Sequence, residues 1–275
     1  MNALAMFIKR YSHFELIENQ LYFTVTDDQL DQSNDSEVLF SIEDYPTEFA
    51  VSHNCPPSLK QIHIFIGMFN KIIGLRKTIH FYTKIANLSY SLTLLGCFMM
   101  IRTKQTADLT FAPFSLLSAL IKPFQGFDDH IQQKTYDLTV VTCLRSFEKA
   151  IKNKWFHYDT FNVQKYDYFK EQDMSWIIPN YLLSFFSKTT QTPSANKAFL
   201  AFHKLRINHL ISINDSPFDI DTINNYGFDF NQISIKSIVP SAQATKQFFT
   251  LLSNSNHTFA VHSHSSTDLS YVTFL

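Results

Sequence analysis

The sequence predicts an α/β protein built from two domains. The chain has 275 residues, of which 45% are hydrophobic and 15% aromatic, and this is enough to fill two cores of ordinary size. Segments that alternate like strands are repeatedly followed by segments with the periodicity of an amphipathic helix. That order of elements is typical of α/β domains. We place the first domain at residues 1–155, a linker at 156–175 and the second domain at 176–275.

The first domain opens with a predicted hairpin. Hydrophobic and polar residues alternate over residues 14–25, with a turn at Asn19 and Gln20. A polar segment at 27–37 has the composition of an exposed loop, and Ser58 is a predicted helix cap. The elements that follow are a helix at 59–73, a strand at 77–83, a helix at 88–103, an apolar segment at 114–121 and a helix at 138–153.

The second domain is predicted from a new series of strands and helices that begins at Trp176. Before it, the aromatic and acidic residues between Trp155 and Asp173 are interpreted as a linker packed over a surface. The predicted strands lie at 176–179, 181–185, 209–214, 228–235 and 258–262, and the predicted helices at 195–205 and 242–252.

Charge and cysteine content exclude several kinds of partner. The 23 basic and 24 acidic residues give a formal net charge of −1, so no overall field favours nucleic acid or an anionic membrane. The three cysteines, Cys55, Cys97 and Cys143, lack the close spacing of zinc ligands or redox dithiols. These observations predict a reducing, intracellular compartment.

Neither secretion nor membrane insertion is predicted. The first 13 residues carry Lys9 and Arg10 after a short apolar stretch and lack a cleavage site of small residues. The most apolar run, residues 92–101, is about half as long as a bilayer span requires. Thr93 and Gly96 also interrupt it. We therefore predict a buried helix.

Five segments of the chain resemble the mitotic-exit dual-specificity phosphatases of the cell division cycle fourteen group, in the order and approximate spacing of that family. They are residues 15–23 (ELIENQLYF), 135–139 (TYDLT), 159–163 (DTFNV), 175–179 (SWIIP) and 260–262 (AVH). The resemblance implies two tandem α/β domains of the dual-specificity and tyrosine phosphatase type. It also implies that the first domain is non-catalytic and that the second carries the chemistry.

Catalysis in this lineage depends on a His-Cys-x5-Arg signature and a separate aspartic acid. The cysteine thiolate attacks phosphorus, the backbone N–H groups of a glycine-containing loop bind the phosphate, and the arginine holds two of its oxygens. The resemblance places the signature on His262, Ser263, His264, Ser265, Ser266, Thr267, Asp268 and Leu269. Ser263 then replaces the nucleophile and Leu269 the arginine. The general acid falls at Lys236, in the segment that matches the family's Asp-Gly-Ser-Thr-Pro-Ser loop.

These replacements predict a site without catalytic residues. A serine hydroxyl ionises far less readily than a thiol near neutral pH. The loop contains no glycine for a nest of N–H groups. Asp268 adds a negative charge that would oppose a phosphate by about 3 kcal/mol per pair of like charges, at about 5 Å and an effective dielectric constant of about 20. We expect phosphate to be repelled.

Other sites are weaker interpretations of the same residues. His257, His262 and His264 with Asp268 form a conceivable metal cluster, but the resemblance implies that His262 is a buried structural histidine at a strand end. A serine hydrolase based on Ser263 lacks a nucleophile elbow. The aromatic run 155–161 has no basic patch beside it for base stacking. We expect no metal and no other cofactor.

The resulting hypothesis is a pseudophosphatase that acts as a protein-binding or scaffold module. Its alternative is an active phosphatase represented by an incomplete or mispredicted C-terminal sequence. Because the chain stops at Leu275, we expect a truncated second domain whose strands at 210–213 and 259–261 have an uncovered face. Such a face predicts a protein partner or self-association, and neither nucleic acid nor a membrane. The resemblance implies an intracellular location in the cytoplasm, at cytoskeletal, centrosomal or ciliary structures, with the nucleus as an alternative.

Overall fold

The computed structural model describes residues 13–28, 35–51, 55–124, 137–186, 192–214, 216, 218–235, 240–253 and 256–263, without the side chains of 186, 192–196 and 263. The chain divides into two compact units, Met1–Phe161 and Asn162–Leu275. Each unit contains one mixed sheet and its own helices. This confirms the predicted α/β class.

The first unit contains a four-stranded sheet with the order β1-β2-β4-β3. Its strands are β1 (His13–Ile17), β2 (Leu21–Val25), β3 (Glu37–Phe40) and β4 (Thr78–Thr83). The strands β1 and β2 form the predicted antiparallel hairpin, while β2 and β3 both run parallel to β4. Asn19 in the hairpin turn has a φ of 55°, a left-handed conformation that asparagine tolerates better than most residues.

The helices of the first unit are α1 (Leu59–Gly74), α2 (Leu88–Thr103), α3 (Ala107–Phe111) and α4 (Val140–Lys152). Ser58 caps α1 as predicted, in a reciprocal capping box. Its hydroxyl accepts the Gln61 amide at 3.3 Å, and the Gln61 side chain accepts the Ser58 amide at 2.8 Å. Two N–H groups that the first turn leaves without helical partners are thereby satisfied.

Helix α2 lies in the core of the first unit. Among the described residues, the stretch Ile85–Thr103 is long and apolar enough to cross a membrane by length and composition, with a mean hydropathy of 1.3. However, 67% of it is buried inside the unit, as for a core helix of a soluble fold. Gly96 permits close packing of α2 on α4, since a Cβ atom there would lie 2.6 Å from a methyl carbon of Leu144. The structure thus confirms the predicted buried helix.

The second unit contains a five-stranded sheet with the order β5-β6-β9-β7-β8. Its strands are β5 (Met174–Ile178), β6 (Leu182–Phe186), β7 (His209–Ile213), β8 (Asp229–Ile233) and β9 (Phe259–Ser263). Only β5 is antiparallel to its neighbour. The β5–β6 hairpin repeats features of the first hairpin, with a register irregularity between Trp176 and Ile178 and a left-handed Asn180 at φ 59°.

Helices cover both faces of this second sheet. They are α5 (Val163–Glu171), α6 (Thr192–Lys204), α7 (Ile220–Asn225) and α8 (Ala242–Leu252). Phe169, Phe202 and Ile223 of the first three helices belong to one core cluster with Leu210 and Ala260. A second cluster joins the α8 residues Ala244 and Phe248 to Ile211, Ile213, Ile233, Phe259 and Val261. Successive strand residues thus contribute to different clusters, as expected for a sheet buried on both faces.

The expectation of an uncovered face is wrong for these strands. Residues 210–213 and 259–261 are each at most 2% exposed. The expectation relied on helices after Leu275 to cover the second face of the sheet, whereas helices that precede β9 in the chain cover both faces.

The segment 156–175, interpreted above as a linker, contains regular structure. Phe156 is buried in the core of the first unit, with Tyr158 and Phe161 packed against that core. Helix α5 places Phe169 in the core of the second unit, and β5 already begins at Met174. Phe156 and Phe169 are therefore core residues of the two units, while Tyr168 remains 52% exposed.

Candidate functional site

The carboxyl end of β9 is where the sequence places the phosphate loop. β9 is the central strand of the second sheet, flanked by the parallel strands β6 and β7. In α/β sheets, ligands commonly bind at the carboxyl ends of such strands. Ser263 is the last residue of β9 and lies in register with Phe186 of β6. Residues 264–269 and Lys236 lie outside the described residues, so the structure locates only His262 and Ser263 of the predicted site.

His262 is the buried histidine that the sequence predicts at the strand end. It is 1% exposed. Its ring centroid lies 5.1 Å from that of Phe185, and its Nδ1 lies 3.5 Å from the Ser212 hydroxyl oxygen. These contacts hold the imidazole inside the sheet layer.

A small hollow lies beside His262. It is lined by Phe185, Leu210, Ile211, Ser212, Ser216, Phe218, Ile223, Phe230 and His262. None of these nine residues is a cysteine, an arginine, a lysine or a carboxylate. The residues that line this hollow therefore supply neither a thiolate nor a fixed positive charge.

No cysteine occurs after residue 161 in the sequence, and all three cysteines are free thiols of the first unit. Burial raises the pKa of the Cys97 thiol well above its usual value and that of Cys143 to about 12. Because desolvation disfavours the thiolate, both remain protonated near neutral pH. Their environments are those of core residues and not those of nucleophiles.

Arg206 is the only arginine after residue 161 in the sequence. It lies between α6 and β7, just before the amino end of β7. The predicted phosphate loop follows the carboxyl end of β9, a strand parallel to β7. Arg206 is therefore at the opposite edge of the sheet and cannot replace the signature arginine, whose position in the alignment is taken by Leu269.

The first unit contains a topological counterpart of this loop. β4 is flanked by β2 and β3 as β9 is flanked by β6 and β7. Thr83 pairs with Val25 at the end of β4, as Ser263 pairs with Phe186 at the end of β9. Thr83 is fully buried, and its hydroxyl lies 2.8 Å from that of Ser91. The interior parallel strand thus ends on a hydroxyl-bearing residue in both units.

Carboxylates of the same unit accept hydrogen bonds from the backbone amides that follow β4. Glu43 Oε1 accepts the Lys84 amide at 3.1 Å and the Asn87 side-chain amide at 2.8 Å. Asp27 Oδ1 accepts the Ile85 amide at 3.3 Å. In a working phosphate loop, amides at this position bind an external anion. In this unit the chain's own carboxylates satisfy them.

The metal cluster considered from the sequence is not assembled by the described residues. His257 lies before the amino end of β9, whereas His262 lies near its carboxyl end. His264 and Asp268 lie outside the described residues. His257 instead lies close to His209 and Asp229. Both of these residues are far from His257 in the sequence, and the sequence pattern did not single them out.

The two sheets, each with a loop position at the carboxyl end of a central parallel strand, define a tandem phosphatase-like α/β protein. A family described as "Dual specificity protein phosphatase, N-terminal half" matches residues 15–150. The chain is 24% identical to dual specificity protein phosphatase CDC14AB of Danio rerio over 270 residues, which cover 90% of this chain and 43% of that protein. It is 24% identical to human CDC14A over 278 residues, which cover 93% of this chain and 44% of that protein.

The tyrosine-protein phosphatase cdc-14 of Caenorhabditis elegans is 26% identical over 195 residues, covering 66% of this chain and 27% of that protein. Together these matches support a CDC14-like family of dual-specificity protein phosphatases for this chain. It spans less than half the length of each of these relatives.

Proposed function

We propose that this chain is a pseudophosphatase, a member of the CDC14-like family that retains the tandem fold and lacks the chemistry. The observation that carries the proposal is Ser263 at the end of β9 in a unit whose sequence contains no cysteine. A thiolate nucleophile is chemically unavailable there, and the one imidazole among the described lining residues, His262, is buried with its Nδ1 3.5 Å from the Ser212 hydroxyl oxygen. In the same alignment, Leu269 stands at the position of the arginine and Lys236 at the position of the general acid.

The test is hydrolysis of an aryl phosphate and of a phosphoserine-proline peptide by the purified 275-residue chain. We expect no turnover above a buffer control, and no difference between the wild type and Ser263→Ala. An active relative prepared in the same way serves as the positive control. Turnover that Ser263→Ala abolishes would refute the proposal, because it would make Ser263 a working nucleophile.

An active phosphatase is the second candidate function. Two observations favour it: the curated relatives are named as phosphatases, and they extend well beyond the matched region. In this alternative the natural protein carries a catalytic sequence in place of residues 262–275. Sequencing the full transcript decides between the two, since a His-Cys-x5-Arg continuation after β9 would replace the first proposal.

The binding role that we propose is that of a protein-interaction or scaffold module. Both units keep extensive apolar cores, although the catalytic positions are changed. A fold that is retained without its catalytic residues fits selection for a surface that the fold presents. A protein partner or a second copy of the chain is the proposed ligand, and nucleic acid and membranes are not. Size exclusion with light scattering tests self-association: a monomer at all concentrations would leave only a different protein as partner.

We further propose an intracellular location for this module, in keeping with its three free cysteines. Cytoskeletal, centrosomal, ciliary and nuclear sites are the finer alternatives that the family resemblance suggests. Fluorescence microscopy of the tagged chain in its own cells separates them. Secretion into the medium would contradict the proposal.

A further inference from the structure

Three metal-ligating side chains meet at the amino edge of the second sheet. His209 is the first residue of β7, Asp229 is the first residue of β8, and His257 lies two residues before β9. One potential ligand atom from each lies within 4.8 Å of the others. This edge is opposite the one that carries Ser263, so the group is separate from the phosphatase-like site.

Backbone hydrogen bonds fix the three positions relative to one another. His209 and Asp229 are direct neighbours in the parallel register. The Asn208 carbonyl accepts the Asp229 amide at 2.9 Å, and the Asn208 side chain accepts the Thr258 amide at 2.9 Å. The Thr258 carbonyl in turn accepts the His209 amide at 3.3 Å. The segment that carries His257 is thereby tied to the start of β7, which is in turn tied to β8.

His209 presents an unpartnered nitrogen to the group. The residue is 9% exposed, and its Nε2 lies 2.8 Å from Asn231 Oδ1, a geometry in which Nε2–H donates. The proton is then on Nε2, which leaves the Nδ1 lone pair free. Among the described residues, this buried Nδ1 has no hydrogen-bond partner. A second residue that fixes the tautomer of a histidine in this way is typical of metal ligands.

A carboxylate and a second imidazole complete the group. Asp229 supplies a negative charge, and its side chain is 67% exposed. His257 Nδ1 is buried and without a hydrogen bond, and it lies 3.6 Å from Asp229 Oδ2.

We propose that His209, His257 and Asp229 form a binding site for a divalent transition metal of the zinc class. Two imidazoles and one carboxylate are a ligand set that zinc accepts, with a fourth position left for water. Ligand atoms about 2.1 Å from a tetrahedral zinc are about 3.4 Å apart. The 3.6 Å between His257 and Asp229 is close to this value. The exposed Asp229 and the partly exposed His257 can move the remaining distance toward the buried His209.

The test uses the untagged full chain after treatment with a chelator, titrated with Zn²⁺ by calorimetry and with Co²⁺ by visible absorption. We expect one site per chain and tetrahedral Co²⁺ bands. His257→Ala and Asp229→Asn change solvent-accessible side chains, so both variants should fold, and each should weaken binding about tenfold or more. His203→Ala is the matched control, because it removes an exposed histidine of the same unit outside the group.

Binding that persists unchanged in both variants would overturn the proposal, as would the absence of Co²⁺ bands in the wild type. Zinc should also raise the melting temperature of the wild type and of His203→Ala, and raise it less in His257→Ala. An equal shift in all three proteins would show binding elsewhere and would refute the site. None of these outcomes depends on phosphatase activity, so the result is independent of the proposed function.

Discussion

Thr83 and Ser263 occupy matching positions in the two units, each as the last residue of a central parallel strand. The loops after these two hydroxyl residues differ. After Thr83, the carboxylates of Asp27 and Glu43 satisfy the amides of the loop. After Ser263, the sequence to residue 275 contains no lysine, arginine or glycine. Neither strand end therefore combines a nucleophile with a positively charged cradle.

Ser263→Cys alone should leave the hydrolysis of an aryl phosphate at the background level. A thiol is a good nucleophile only as a thiolate, and its pKa falls only beside positive charge or hydrogen-bond donors. The next residues in the chain supply Asp268 and Leu269 instead. The measurement compares the wild type, Ser263→Cys and Ser263→Ala at equal concentration. A rate that appears only in the cysteine variant and is inhibited by vanadate would show that the loop does hold phosphate.

At the scale of the element, strong local patterns predicted most of the structure. The capping signal at Ser58 placed α1 within one residue of its observed end, and α8 has the predicted bounds. The short edge strand β3 was missed because its four residues adjoin a polar segment. Helix α5 was missed because its mean composition is polar and only Phe169 is buried. In both cases tertiary packing determines the secondary structure. The local sequence pattern carries too little information about that packing to predict it.

The candidate sites show the same limit. The family resemblance predicted His262 as a buried histidine at a strand end, and it is buried next to the last residue of β9. The group of His209, Asp229 and His257 was missed because its members are far apart in the sequence. Only the parallel register of β7 and β8, together with the position of β9, brings them to one edge. A pattern search along the chain has no access to that register.

Glu43→Ala should destabilise the first unit by about 1–3 kcal/mol, because it leaves the Lys84 amide and the Asn87 side chain without their charged acceptor. Hydrogen exchange of a peptide covering residues 84–87 should become faster, and the urea midpoint of the unit should fall. Glu48→Ala removes an exposed carboxylate of the same segment and should change neither quantity. Equal exchange in the two variants would mean that Glu43 does not hold this loop.

At the scale of the whole molecule, the charges give no general attraction for anions. With 23 basic and 24 acidic residues, the net charge of −1 creates no field that could replace a missing local site. An oxyanion must therefore be held by specific donors or not at all. In the first unit, carboxylates hold the amides of the counterpart loop. In the second, the hollow beside His262 is lined by apolar and hydroxyl side chains.

Tungstate, vanadate and phosphate at millimolar concentration should consequently leave the melting temperature of the chain unchanged, within about 1 °C. A ligand stabilises a protein only by binding its native state, and a ligand at about one hundred times its Kd would contribute about 2.7 kcal/mol. For a protein of this size that corresponds to a shift of several degrees, which thermal unfolding detects easily. An active relative with an intact His-Cys-x5-Arg loop should show such a shift and is the control. The shift of the relative should disappear in its catalytic-arginine variant, whereas a comparable shift in this chain would contradict the predicted loss of phosphate binding.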